Sequence, residues 1–191
     1  MKIFVSGGCK SGKSYYAQQL AKKQQADTTG PLYYIATMQP TDAEDDERIS
    51  RHRQEREGWG FTTVEQPLHI EKILEKCDFR GSFLLDSLTA LLANEMFLPD
   101  YNGQPCCHGT SEHAVEKIAE GLQYITASVS NIIIISDSIY CDVPGYDPWT
   151  EKYRRFLAQI DQVAAANCDV VLEIVWTNVI VHKGKEVFKT L

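Results

Sequence analysis

Apolar residues fall into two rhythms along the chain. Compact runs such as 3–5, 32–35, 83–85 and 132–135 are separated by longer stretches in which apolar side chains recur every three or four positions. The first rhythm predicts strands over 2–6, 32–37, 61–65, 82–86, 131–136, 169–175 and 179–182. The second predicts helices over 14–23, 68–76, 88–97, 111–128 and 148–167, and a highly charged one over 42–56. Pro148 suits the first turn of its helix. Pro99, Gly103, Pro105 and Gly109 mark 98–110 as a loop, 137–147 reads as another, and Thr177-Asn178 as the turn between the last two strands. Unbroken apolar strands alternating with helices pair in parallel and are covered on both sides. The expectation is an α/β fold: a mostly parallel sheet flanked by helices on both faces, with an antiparallel strand admissible at the C-terminal end, forming one domain over 1–191. Ligands of such sheets bind at the carboxyl ends of the strands.

The first such end carries the most informative stretch. Gly7-Gly8-Cys9-Lys10-Ser11-Gly12-Lys13-Ser14 is a G-x-x-x-x-G-K-S phosphate-binding loop, set between a predicted strand and a predicted helix. The glycines let backbone N–H groups turn inward, the helix N-terminus adds partial positive charge and Lys13 a full one, and Ser14 offers a hydroxyl to Mg²⁺. A nucleoside triphosphate is the expected ligand. Thr37, Asp86 and Asp137 fall at three other strand ends, and so on the same rim.

Composition narrows the class. With 43% hydrophobic and 24% charged residues among 191, the chain has the balance of a globular domain with a real core. No apolar run approaches the ~20 residues of a membrane span. The first strand begins at residue 2, which leaves no room for a signal peptide. The net charge of −7 argues against a nucleic-acid partner, which calls for a basic face. The six cysteines, none in a Cys-x-x-Cys pair, match reduced cytoplasmic usage. Cys106-Cys107-His108, with His113 nearby, lacks zinc-site spacing and reads as a polar loop with incidental thiols.

The 42–56 segment places Asp42, Glu44, Asp45, Asp46 and Glu47 before Arg48, Arg51, His52, Arg53 and Arg56, an order that suits the helix dipole. Ile49 is its one sizeable aliphatic residue, so it is not a core element. Arg48, His52 and Arg56 share a face at i, i+4, i+8. Guanidinium neighbours disfavour imidazolium, and a neutral imidazole is a nucleophile toward phosphates that the arginines grip. A solvated helix with its own ion pairs and an exposed His52 accounts for the same residues. Asp86 ends an apolar strand, where phosphate-loop enzymes hold Mg²⁺; it is equally placed to cap the following helix. Glu65 reads as a strand-end acid with a lesser claim on ligand, and Asp137 as a carboxylate able to orient a hydroxyl or as a plain loop acid.

These residues together resemble the bifunctional adenosylcobinamide kinase / adenosylcobinamide-phosphate guanylyltransferase family of cobalamin assembly. The match covers nearly the whole chain and is strongest in its first half. It rests on the phosphate loop at the very N-terminus, on Tyr34-Ile35-Ala36-Thr37, and on Arg48-Ile49 followed by His52-Arg53, Arg56, Trp59 and Glu65. Leu84-Leu85-Asp86-Ser87-Leu88-Thr89 with Asn94 continues it, and Val143-Pro144, Tyr153-Arg154, Gln162 and Asp169 follow more thinly. The resemblance implies a RecA-like P-loop NTPase fold, a homotrimer, ATP and GTP as substrates, Mg²⁺ on Ser14 and Asp86, and a corrinoid (cobinamide) acceptor. It implies Lys13 and His52 as catalytic residues, His52 being guanylylated in turnover. Expected nucleotide contacts are Gly7, Gly8, Cys9, Lys10, Ser11, Gly12, Lys13, Ser14, Ala36, Thr37, Met38, Arg53, Arg56, Glu65 and Asp86. The chain departs from the family pattern after Ile135. Ser136-Asp137-Ser138-Ile139 replaces Asn-Glu-Val-Gly, Arg154-Arg155 replaces Arg-Asp, Ala158 and Asp161 stand for a glycine and an asparagine, and the 106–110 loop has no counterpart. A kinase without guanylyl transfer and a GTP-binding switch without turnover are the alternatives; no clear switch motif is present.

Overall fold

Seven strands form one sheet among the residues described by the computed structural model, which are 1–26, 28–40, 47, 50, 54, 56–98, 112–140 and 145–189. They are β1 (Lys2–Gly7), β2 (Leu32–Ala36), β3 (Phe61–Glu65), β4 (Ser82–Asp86), β5 (Asn131–Asp137), β6 (Val170–Val175) and β7 (Asn178–Lys183), in the spatial order β3-β2-β4-β5-β1-β6-β7. Every pairing is parallel except β6 with β7. Around the sheet stand helices α1 (Lys13–Ala26), α2 (Ile73–Lys76), α3 (Leu88–Phe97), α4 (Glu112–Ser128), α5 (Pro148–Asn167) and α6 (Lys185–Phe188).

Successive strand residues point to opposite faces, and the core divides accordingly. On one side Phe4, Ile35, Phe83, Leu85, Ile132 and Ile134 pack under α3, α4 and α5; on the other Ile3, Val5, Tyr34, Leu84, Ile133 and Ile135 pack against Ala17, Leu20 and Ala21 of α1. Each fully buried Leu or Ile contributes roughly 1.5–3 kcal/mol of transfer free energy. The expected layering is therefore observed, antiparallel C-terminal pair included.

Local chemistry sets the helix starts. Ser87 caps α3, its hydroxyl accepting from the Ala90 N–H. Asp147 caps α5, accepting from the N–H groups of Trp149 (2.9 Å) and Thr150 (3.2 Å), with Pro148 in the first turn. Capping of α3 thus falls to Ser87 and leaves Asp86 free of that task.

Two expectations are corrected. The helix over 68–76 is a 3₁₀ turn, Ile70–Lys72, running into the short α2. His69 lies in the left-handed region (φ 55°), its N–H held at 2.7 Å by Glu95 Oε1, and the Gln66 amide takes the carbonyls of Leu68 and His69. Those bonds bend the chain where a helix would begin. The turn between β6 and β7 is Trp176-Thr177, since Val175 pairs with Asn178. Residues 47, 50 and 54 of the charged segment are helical. His52, Arg53, Arg48, Arg51, the 106–110 loop and Val143-Pro144 lie outside the described residues.

Candidate functional site

Parallel register brings the strand ends to one rim. Gly7 lies level with Asp137 on β5 and Ile174 on β6, and Ala36 lies level with Asp86 on β4 and Glu65 on β3. The phosphate loop rises from Gly7. A Cβ there would stand 2.7 Å from the Ile174 carbonyl oxygen, so β1 and β6 approach closely only because residue 7 is glycine. Lys10 (φ 57°) and Gly12 (φ 91°) take left-handed backbone, and the Ser11 N–H bonds the Gly8 carbonyl at 3.2 Å. The loop closes directly onto the first turn of α1. The Ser11 hydroxyl is buried without a partner among the described residues, a polar atom that suits an oxygen-rich ligand.

Lys13 folds back over this loop. Its ammonium lies 3.3 Å from the Gly8 carbonyl and 2.5 Å from Asp137 Oδ1, and the residue is buried. Asp137 is held in turn by its own N–H, which donates to Thr89 Oγ1 at 2.9 Å, while the Tyr153 hydroxyl donates to the Thr89 carbonyl at 2.7 Å. A cation and a carboxylate thus face each other across the rim, each fixed from behind.

Asp86 has a different neighbour. The Tyr34 hydroxyl donates to its Oδ2 at 2.8 Å, and the Arg56 guanidinium lies 3.6 Å above the Tyr34 ring. The cation–π contact brings Arg56 into the site although it belongs to the charged segment. Thr37 is fully buried. Its hydroxyl donates to the Ser87 carbonyl and accepts from the Ser87 N–H, both at 2.8 Å, and Asn94 bonds its carbonyl at 2.7 Å. Its side chain clamps β2 to the end of β4 and is spent on that task.

A cleft of about 560 Å³ joins these groups, with Lys13, Ser14, Ala36, Met38, Arg56, Glu65, Asp86 and Asp137 among its walls. Thr63, Glu65 and Arg56 also face a wider hollow of about 940 Å³ beside it, bordered by Gln54, Glu57 and Phe61. Mg²⁺ needs only one or two carboxylates alongside substrate phosphates and water. The Ser14 hydroxyl and the Asp86 carboxylate, oxygen donors lining one cleft, fit that demand.

Close enough to Asp137 to feel its charge lies a second carboxylate, one of the positions at which the chain departs from the family pattern. Asp161 on α5 is buried and accepts the Tyr140 hydroxyl at 2.6 Å on Oδ2. Its Oδ1 closes no well-formed hydrogen bond among the described residues, although the Ser136 hydroxyl lies near enough to favour the charged form somewhat. Burial pushes its pKa up to about 6, against the pull of Tyr140 and Ser136 and with Asp137 adding like-charge repulsion. Tyr34, Thr89 and Tyr153 also escaped notice as site residues. Tyr34 carries one signal, a polar-tipped aromatic two residues from the end of β2, the next strand after the phosphate-loop helix along the chain.

Comparison with known proteins places the chain in a family. Residues 3–178 match the family described as cobinamide kinase / cobinamide phosphate guanyltransferase. The chain is 37% identical over 172 residues to the bifunctional adenosylcobalamin biosynthesis protein CobP of Pseudomonas aeruginosa, covering 90% of this chain and 91% of the relative. It is 27% identical over 183 residues to the bifunctional adenosylcobalamin biosynthesis protein CobU of Escherichia coli K12, covering 92% and 96%. Among solved structures, a KaiC-like protein from Pyrococcus horikoshii superposes with a TM-score of 0.50 at 12% identity, over 95% of this chain and 78% of that one. That likeness concerns the fold alone, which is RecA-like.

Proposed function

Since the chain belongs to the cobinamide kinase / cobinamide phosphate guanyltransferase family of cobalamin biosynthesis, we propose that it carries out both steps in their names on adenosylcobinamide. The observation that carries the proposal is the Lys13–Asp137 pair, set at 2.5 Å over the phosphate loop and level with it in the sheet.

In the first step the γ-phosphoryl group of ATP or GTP passes to the hydroxyl of the aminopropanol arm. Loop N–H groups and Lys13 stabilise charge on the phosphates. Lys13 exchanges its carboxylate partner for phosphate oxygens, and Asp137, so released, accepts the proton of the attacking hydroxyl. Ser14 and Asp86 would hold Mg²⁺, which neutralises charge on the phosphate oxygens.

In the second step an imidazole nitrogen of His52 attacks the α-phosphorus of GTP and pyrophosphate leaves. The phosphate oxygen of the first product then attacks the phosphoramidate, giving adenosylcobinamide-GDP and free His52. Two transfers through a neutral nucleophile replace one encounter between polyanions. Arg53 and Arg56 offset charge on the guanylyl phosphate, and Glu65 accepts hydrogen bonds from the base or ribose.

The two half-reactions separate by residue. Asp137→Asn is expected to slow phosphorylation of adenosylcobinamide by about 10²–10⁴-fold, yet to convert directly supplied adenosylcobinamide phosphate. His52→Ala is expected to phosphorylate and stop there. Chromatography of the corrinoid products reads both, and equal loss of both steps in either variant would contradict the assignment.

A further inference from the structure

The β6–β7 turn contains a tryptophan that neither proposed step uses. Trp176 is 86% exposed, the most exposed large apolar side chain among the described residues. It occupies the first of two turn positions, and both it (φ 51°) and Thr177 (φ 65°) adopt the left-handed region. A two-residue turn of this type favours Asn-Gly; a bulky aromatic followed by a β-branched residue is costly there. Strained residues of this kind cluster at ligand clamps. This turn also touches the phosphate loop. The Thr177 N–H bonds the Ser11 carbonyl at 3.3 Å, and a Cβ on Gly12 would meet Thr177 Cγ2 at 3.7 Å.

Sheet order gives the turn a place along the nucleotide. β1, which carries the loop, stands between β5 and β6. Asp137 ends β5 and Asp86 ends β4, so the reacting end of a triphosphate, with its acceptor and metal groups, lies on that side. A triphosphate whose γ-phosphorus faces Asp137 must carry its nucleoside to the opposite side of the loop, over β6 and the β6–β7 turn.

We infer that Trp176 is the nucleobase platform for the nucleotide that donates its γ-phosphoryl group, separate from the Glu65 side of the cleft proposed for the guanylyl group. The inference rests on the two-step reading above for the division between nucleotides; the site itself follows from loop, turn and sheet order. Stacking reads the π-face of a base rather than its edge. The platform therefore accepts adenine and guanine alike, while Glu65, an acceptor, discriminates between base edges in the other step.

The test is equilibrium binding of the β,γ-imido analogue of ATP with Mg²⁺, set beside inorganic tripolyphosphate, which has no base. Trp176→Ala is expected to weaken the analogue by about 5- to 150-fold, the range for loss of one stacked base, with a much smaller effect on tripolyphosphate. Trp176→Phe is expected to recover most of the loss, and the imido analogue of GTP to lose as much as that of ATP. Equal weakening of analogue and tripolyphosphate would reduce Trp176 to a prop for the loop and overturn the inference. So would unchanged analogue binding, or none by the wild-type protein. Since binding needs neither chemical step, Trp176-dependent binding without either transfer would sink the two-step reading and leave the platform standing.

Discussion

Asp161 is the residue most out of keeping with its surroundings. A buried carboxylate with one oxygen lacking a well-formed hydrogen bond costs stability whenever it is charged. Its pKa of about 6 lies above the ordinary 3.8. Below about pH 4 the group is protonated folded or unfolded. Between about pH 4 and 6 only the folded state keeps the proton, so the group lowers stability as pH rises, and above pH 6 the full penalty is present. Asp161→Asn keeps an acceptor for Tyr140 and removes the charge. It should stabilise the protein above pH 6 by on the order of 2–3 kcal/mol, with the gain fading toward pH 4. Urea midpoints at pH 8 and pH 4.5 check this, and a gain independent of pH would show that the charge is not the cause. The sequence marks Asp161 only as a departure from the family pattern; its burial and its closeness to Asp137 exist only once α5 is docked.

At the scale of elements, the site depends on how strand ends are tied. Thr37 joins β2 to the start of α3 through two hydrogen bonds with Ser87 and one from Asn94. Thr37→Val preserves shape but leaves the Ser87 N–H and carbonyl without their partner, a loss of about 1–3 kcal/mol. Denaturation should show that loss, and nucleotide affinity should fall with it because the same peptide follows Asp86. Full stability in Thr37→Val would mean water replaces the hydroxyl. The strands and long helices were legible because their apolar periods differ, and Ser87 and Pro148 punctuate them. The 68–76 segment was not. Its apolar spacing is helical, but Gln66 and Glu95 hold its first residues in another conformation, and Glu95 comes from a helix 26 residues away. The last turn falls one residue earlier than its sequence suggests, because a tryptophan and a threonine are unfavoured in left-handed backbone.

Across the whole molecule, strand order converts scattered motifs into a site. Local pattern says that Gly7, Ala36, Glu65, Asp86 and Asp137 end strands; it does not say that β5 lies beside β1 or that β2 lies between β3 and β4. That order follows from long-range packing of both sheet faces, and it explains why Lys13 meets Asp137 while Asp86 meets Tyr34. The phosphate loop was legible outright, since its chemistry is local. The pairing of Arg56 with Tyr34 was not, because it spans two elements that no spacing links.

The central claim is that one chain combines this phosphate loop with a nucleophilic histidine. It is tested most directly by incubating the protein with Mg²⁺ and GTP labelled at the α-phosphate, in parallel with γ-labelled GTP, and denaturing it. The account predicts acid-labile, alkali-stable label on the protein from the α position alone, absent in His52→Ala. GTP binding without covalent label would contradict it and leave a kinase or a nucleotide-binding switch in its place, and label that survives His52→Ala would contradict it by placing the nucleophile elsewhere.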